Sequence, residues 1–270
     1  IQYSMRPERP MISKRLEVQK SIWSPILNPD KLDTTEKIYG LPPDCQSTVT
    51  PVFGQSVITV SGVDAETFLD SQLSSDIKNI KINSLLPAGY CNPKGRLIAT
   101  LYVIRNENSF NLLLPDDLVD EFISRISRFI LRAKVTISEN QAVAVIGVIG
   151  KISTEVNPTQ SDDPNEKILK INSTQGLILW PSESLALFWR KVTKIYSSSE
   201  YERWKLENIR NGIVDVGEAT KEQFLPQMIN LEKREGVSFS KGCYPGQEIV
   251  ARTKYLGSVK RKLCSFKSSK

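Results

Sequence analysis

The sequence predicts an α+β fold built from split βαβ units of the ferredoxin-like kind. Three observations carry this. Between residues 56 and 149 the apolar pattern switches between the period of two of a strand and the 3.6 period of a helix. Within them runs the order strand, helix, strand, strand, helix, strand, which is the split βαβ order. The length of 270 residues suits two domains or one large composite, at roughly 100–200 residues per domain.

Residues 1–47 read as an N-terminal extension and a leading loop, because 24–51 is rich in Pro, Asp and Thr. Residues 56–60 are β-branched and predict a strand. A turn at 61–64 leads into a helix at about 65–73 with Phe68, Leu69 and Leu73 on one face. Strands follow at 86–92 and 97–105, joined by an N-P-K-G turn at 92–95 in which Pro fixes φ and Gly tolerates positive φ. A further strand is expected at 110–114. A helix at 118–130 turns Phe122, Ile126, Phe129 and Ile130 inward, and strands follow at 134–137 and 142–149. The first ferredoxin-like part therefore spans 48–156. Residues 157–166 are polar, and a second, smaller α+β part closes at about 200. A helix at 201–211 carries Trp204, Leu206 and Ile209 and stops at Gly212. It opens a segment that runs to 258, and 259–270 form a short tail. No short-period repeat is present.

Composition narrows the chemistry. The chain is 40% hydrophobic and 24% charged, as in ordinary globular proteins, and no apolar run approaches the roughly 20 residues of a membrane span. There is no histidine, which excludes Ser-His-Asp and Cys-His catalysis and any histidine-ligated metal. The four cysteines, Cys45, Cys91, Cys243 and Cys264, form no C-x-x-C pair, so reduced thiols and no metal site are expected. The N-terminus is basic but carries Glu8 and Glu17, unlike the acid-poor transit peptides. Residues 241–270 hold eight Lys or Arg and one acid, Glu248, a concentration of positive charge within a net +6 chain. Such a cluster is either an anion-binding feature or a solvated basic end.

The segment 239–252 brackets one cysteine and one aromatic with two glycines and a proline. A turn of this kind brings backbone close to a ligand and presents Cys243. Lys241, Arg252 and Lys254 lie nearby in sequence, and positive charge makes a sulfur more reactive. The bland alternative is a cysteine packed in a tight turn.

The stretch K-G-C-Y-P-G-Q-E at 241–248 resembles the K-G-C-Y-x-G-Q-E signature of the YgfZ family, with all seven fixed positions matched. Four more stretches agree in order: F-L-D-S-Q-L-S-S-D at 68–76, Y-C-N-P-K-G-R at 90–96, L-R-A-K-V at 131–135, and F-L-P-Q at 224–227 followed by Asn230 and Leu231. The resemblance covers about residues 50–263. It implies the fold of the glycine-cleavage T-protein, with tetrahydrofolate in a central cavity. It also implies a role in maintaining iron–sulfur proteins and, through them, in tRNA modification. The expected partners are folate and iron–sulfur client or assembly proteins, with tRNA reached indirectly and no membrane. The expected compartment is the cytoplasm of a bacterium, or the mitochondrial matrix of a eukaryote. The family continues into a C-terminal β-barrel, of which 259–270 would be the start.

A pterin needs an apolar or aromatic face, hydrogen-bond acceptors at its amino-pyrimidine edge, and cations for its glutamate tail. The resemblance puts Trp204 at a family folate contact; on the residues alone it is the apolar face of its helix. Glu248 and Gln247, with Tyr244 beside them, are candidates for the pterin edge or braces of the turn. Lys94 and Arg96 are candidates for the anionic tail or solvated turn residues. Bacterial members often carry a second ligand tryptophan where this chain has Gln55. Cys243 is the candidate reactive thiol. Two further readings stand beside this one. An aminomethyltransferase would need an acid or base, for which Asp76 and Glu248 are placed near the motifs. A basic tRNA-binding module would use the charged tail.

Overall fold

A computed structural model describes residues 10–24, 26–27, 47–150, 152 and 167–266. Cys45 and the last two tail lysines lie outside the described residues. The strands are β1 (Thr48–Pro51), β2 (Gln55–Ser61), β3 (Ser84–Cys91), β4 (Leu97–Arg105), β5 (Ser109–Pro115), β6 (Thr136–Glu139), β7 (Val143–Ile149), β8 (Leu169–Lys170), β9 (Gln175–Pro181) and β10 (Ser197–Ser198). The helices are α1 (Pro10–Trp23), α2 (Ala65–Gln72), α3 (Val119–Ser127), α4 (Leu185–Val192), α5 (Tyr201–Arg210) and α6 (Gln247–Tyr255).

The strands form two five-stranded sheets, β3-β4-β5-β2-β6 and β10-β1-β7-β9-β8. Every neighbouring pair in the first sheet is antiparallel. Within it, β4-β5-β2-β6 is the split βαβ arrangement, because α3 carries the chain from β5 over β2 to β6. β3 is an added edge strand. The second sheet repeats the idea, with α4 carrying the chain from β9 over β7 and β1 to β10. The two crossovers share one local design. Pro115 ends β5, a 3-10 turn follows at Asp116–Leu118, and α3 buries Val119, Phe122 and Ile126. Pro181 ends β9, a 3-10 turn follows at Ser182–Ser184, and α4 buries Leu185, Phe188 and Val192 at identical spacing. β1 and β7, which flank the first part in sequence, belong to the second sheet.

Strand alternation builds four layers. Ile58, Val60, Leu101, Val103, Leu112 and Leu114 face outward from the first sheet onto α2 and α3. Ala144, Ile146, Val148 and Ile178 face outward from the second onto α4 and Trp23 of α1. The opposite faces meet in a shared core of Val57, Ile104, Leu113, Val145, Ile149, Leu177 and Trp204.

Local differences from the sequence reading have physical causes. α1 occupies residues read as extension; its pattern is weakly amphipathic, and Trp23 is its one fully buried side chain among the described residues. Phe129 is exposed because α3 stops at Ser127, two residues short of it. β6 begins at Thr136 because Leu131 takes a left-handed φ of 48° and delays the strand. In α5, Trp204 is buried but Ile209 faces solvent.

Candidate functional site

The signature is held against two other motifs of the sequence. Lys241 places its ammonium, 2% exposed, on the carbonyls of Leu73 at 2.9 Å and Ser75 at 2.8 Å, on the carbonyl of Asp70, and on Asp70 Oδ1 at 3.1 Å. It thus satisfies carbonyls at the end of α2 that the helix leaves without partners. Burial pushes the Lys241 ammonium below its usual range, against the pull of Asp70. The N-P-K-G turn docks on the start of α6. Gly246 has φ +79°, and a Cβ there would lie 2.4 Å from the Asn92 carbonyl and 2.6 Å from Gly95 Cα. Two glycines are therefore needed for this approach. Gln227, from the F-L-P-Q stretch, donates to the Val250 carbonyl of α6 at 2.7 Å and is buried.

Within this frame Cys243 is exposed and Tyr244 is buried. The Tyr244 hydroxyl has no hydrogen-bond partner among the described residues, and burial pushes its ionisation up. Beneath it lies Cys91, whose thiol burial pushes up to about 12. Gln247 begins α6. Glu248 is exposed and pairs with Arg252 at 3.1 Å. Lys94 is exposed, and Arg96 donates to the Gln223 carbonyl at 2.7 Å. The structure therefore brings Lys94, Arg96, Cys243, Tyr244, Gln247 and Glu248 together. It leaves Trp204 apart. That ring is 5% exposed and lies in the core between the sheets, over Gly147. Ile104 belongs to that core and Leu97 to the one under the signature, about 20 Å apart along β4.

Two features near the signature were not legible in the sequence. One is a groove of about 670 Å³, lined among others by Asp76, Lys81, Glu232, Glu235, Phe239 and Tyr255. Its size is that of a small-molecule site. Phe239 and Tyr255 meet edge to face at 5.9 Å, and Lys254 lies over Phe239. The other is a polar recess. Arg234 donates to the Tyr102 hydroxyl at 2.6 Å and stands over its ring. Asp215 faces Arg234 and receives a hydrogen bond from the Gln55 side chain. Desolvation by the surrounding walls pushes the Asp215 carboxyl up, and Arg234 opposes the shift. Yet Asp215 remains open to water. The segment is fixed by Thr100, whose hydroxyl donates to the Val214 carbonyl and accepts from the Val216 amide. Arg234 adjoins Glu235 of the groove, and Leu85 of the groove wall shares the sheet face of Tyr102. Three chemistries thus sit side by side: aromatic faces, carboxylate acceptors and a guanidinium. No group of acids and cysteines among the described residues is arranged to hold a metal. No helix among them is long and apolar enough to cross a membrane.

The α+β architecture of two sheets packed around a shared core is that of the glycine-cleavage T-protein fold. The solved aminomethyltransferase T of the glycine cleavage system from Bartonella henselae superposes with a TM-score of 0.61 at 12% identity, over 78% of this chain and 64% of that one. The chain thus spans just under two thirds of that protein's length. In sequence, the tRNA-modifying protein YgfZ of Klebsiella pneumoniae (strain 342) is 30% identical over 221 residues, 77% of this chain and 68% of the relative. The protein of the same name from Edwardsiella ictaluri (strain 93-146) is 28% identical over 226 residues, 78% of this chain and 68% of the relative. The chain belongs to the YgfZ family. No protein-family model matches it.

Proposed function

We propose that this chain binds tetrahydrofolate and acts as an accessory protein for iron–sulfur cluster assembly or repair, and through iron–sulfur enzymes supports tRNA modification. The observation that carries the reading is the juxtaposition of the groove, the Arg234–Tyr102–Asp215 recess and the exposed Cys243 on one side of the molecule. The pterin would take the aromatic and carboxylate walls, which suit its flat face and donor-rich edge. The glutamate tail would take Arg234 or Lys81. Trp204, being buried, would report binding by fluorescence from within the core. The tRNA link rests on the names of the Klebsiella and Edwardsiella relatives, and the iron–sulfur link on the signature.

The test is a fluorescence titration with tetrahydrofolate. The expected result is saturable quenching, weakened about tenfold or more in Arg234→Gln, where a charge-assisted bond is lost, and unchanged in Cys243→Ser. In cells, Cys243→Ser should then lower the activity of iron–sulfur enzymes. Absence of quenching in the unsubstituted chain would overturn the folate reading.

A further inference from the structure

The turn that leads into β2 is pinned from three directions. Gly54 stands in it at φ +73°. From α1, Gln19 spends both ends of its side-chain amide on this turn. Its Oε1 accepts from the Gly54 amide at 3.1 Å, and its Nε2 donates to the Gln55 carbonyl at 2.9 Å. From the end of β5, Asp116 accepts from the same Nε2 at 3.0 Å, and its own amide donates to the Gly54 carbonyl at 3.1 Å. Asp116 is buried, and Ser56 Oγ donates to its other carboxylate oxygen at 2.7 Å. From α5, the Tyr201 hydroxyl donates to the Phe53 carbonyl at 2.6 Å. The Phe53 ring meets Tyr201 edge to face at 5.5 Å and Trp23 of α1 at 6.4 Å. Four backbone groups of residues 53–55 are thus held, and the direction in which the Gln55 side chain leaves the chain is set.

That side chain donates to Asp215, the carboxylate of the polar recess. Asp215 needs such a partner. It lies in a segment, 213–217, that is neither helix nor strand, and Thr100 holds only the backbone on either side of it. The charged and titratable groups around it pull in different directions. Arg234 attracts the carboxylate, Asp117 repels it, and the hydroxyls of Tyr102 and Tyr201 lie in its field. A neutral amide donor orients a carboxylate without cancelling its charge, which leaves acceptor capacity for a ligand.

We propose that Gln19 and Gln55 are positioning residues for the recess: α1, acting through Gln19, fixes the turn at 53–55, and Gln55 then holds the Asp215 carboxylate beside Arg234 as the paired acceptor for the amino-pyrimidine edge of the ligand. The identity of the ligand rests on the folate reading above; the positioning of Asp215 does not. Affinity at the recess then depends on whether α1 is seated. If Gln19 did no more than seat α1, its loss would lower stability and leave the folded recess unchanged.

The experiment uses the full chain and the variants Gln19→Met, Gln55→Met and the two combined. Methionine keeps the length of the side chain, and near-ultraviolet circular dichroism would confirm that each variant is folded. The first readout needs no ligand. It is the carbon-13 NMR titration of chain labelled at the aspartate carboxyl carbons, with the Asp215 signal assigned by Asp215→Asn. A hydrogen bond to the charged form holds a carboxyl down, so the Asp215 titration should move to higher pH in both single variants. The second readout is tetrahydrofolate affinity by fluorescence. It should weaken about tenfold in Gln55→Met and roughly threefold or more in Gln19→Met. The combined variant should bind no more weakly than Gln55→Met alone, because the first residue acts through the second. An Asp215 titration that neither substitution moves, or affinity losses that multiply in the combined variant, would overturn the proposal. An Asp215 signal that moves in both variants, in a chain whose unsubstituted form fails to bind tetrahydrofolate, would keep the positioning and remove the folate reading alone.

Discussion

Lys241 shows how one residue of a motif can hold the motif itself. Its charge is buried, and Asp70 is its ionic partner. Removing one member of a buried pair leaves an uncompensated charge, so Asp70→Asn should cost about 3–5 kcal/mol in urea unfolding, with Lys241→Met partly restoring stability when added. The sequence displayed this lysine but not its role, because its partners lie some 170 residues away. Cys243 and Cys91 make a second contrast. At pH 8, iodoacetamide should modify exposed Cys243 and Cys264 in the native chain, and Cys91 only after denaturation, as read by peptide mass spectrometry. Cys91 also has a pH signature. Its thiol titrates near 12 when folded and about 8.5 when unfolded. The raised folded value means that its contribution is intact below the unfolded value and is lost as pH rises towards 12. Cys91→Ala should therefore lose less stability than the parent between pH 8 and 10. Trp204 was legible as a buried-face residue of its helix. The recess of Asp215 and Arg234 was not, since neither residue is marked by any local pattern.

Among the elements, α1 depends on few contacts for its length. Arg15 reaches Asp120 at 2.7 Å and Glu139 at 2.9 Å, and Gln19 bonds Asp116 and the Gln55 carbonyl. Trp23 inserts edge-on against Trp189 at 5.0 Å. The hydrogen bond from Arg15 holds the Asp120 carboxyl below its usual range. Such a carboxylate stabilises above the unfolded value near 3.9 and loses that contribution as pH falls through the folded value. Asp120 is half exposed, so solvent screening limits this part to under about 1 kcal/mol. Arg15→Met removes both bridges and should cost about 1–3 kcal/mol. The readout is Trp23 fluorescence, which should shift to the red at lower urea than in the parent; an unshifted transition would mean that α1 is seated by Trp23 alone. The strands and helices of the first sheet were legible because alternation and the 3.6 period are strong there. β1 was not, being four residues that end in Pro51. The repeat of strand, proline, 3-10 turn and helix was hidden because only four apolar positions carry it.

For the whole molecule the consequential feature is the core between the sheets. Each sheet has its own outer core with its own helices, so two separately stable halves would be conceivable if the inner faces were wet. They are not. Val57, Ile104 and Leu113 from one sheet and Val145, Ile149 and Leu177 from the other are all buried together with Trp204. Trp204 is accommodated because residue 147 is glycine: a Cβ there would meet Trp204 Cε3 at 2.5 Å. Losing the inner core would leave large apolar faces in water on both halves, at about 25 cal/mol for each Å². The sheets should therefore unfold in one transition, as small domains with a shared core do. Three of the four tryptophans, Trp23, Trp180 and Trp189, report on the outer core of the second sheet. Leu113→Ala lies in the first sheet and should cost about 2–5 kcal/mol. In a Trp204→Phe background, that substitution should lower the urea midpoint of the remaining tryptophans as much as the midpoint seen by circular dichroism. A tryptophan midpoint left in place, or two separate steps, would show that the second sheet stands without the first. Gly147→Ala should act in the same direction by forcing Trp204 outward, at about 1–3 kcal/mol. Combined with Trp204→Phe its cost should shrink, because the clash it creates is with the larger ring.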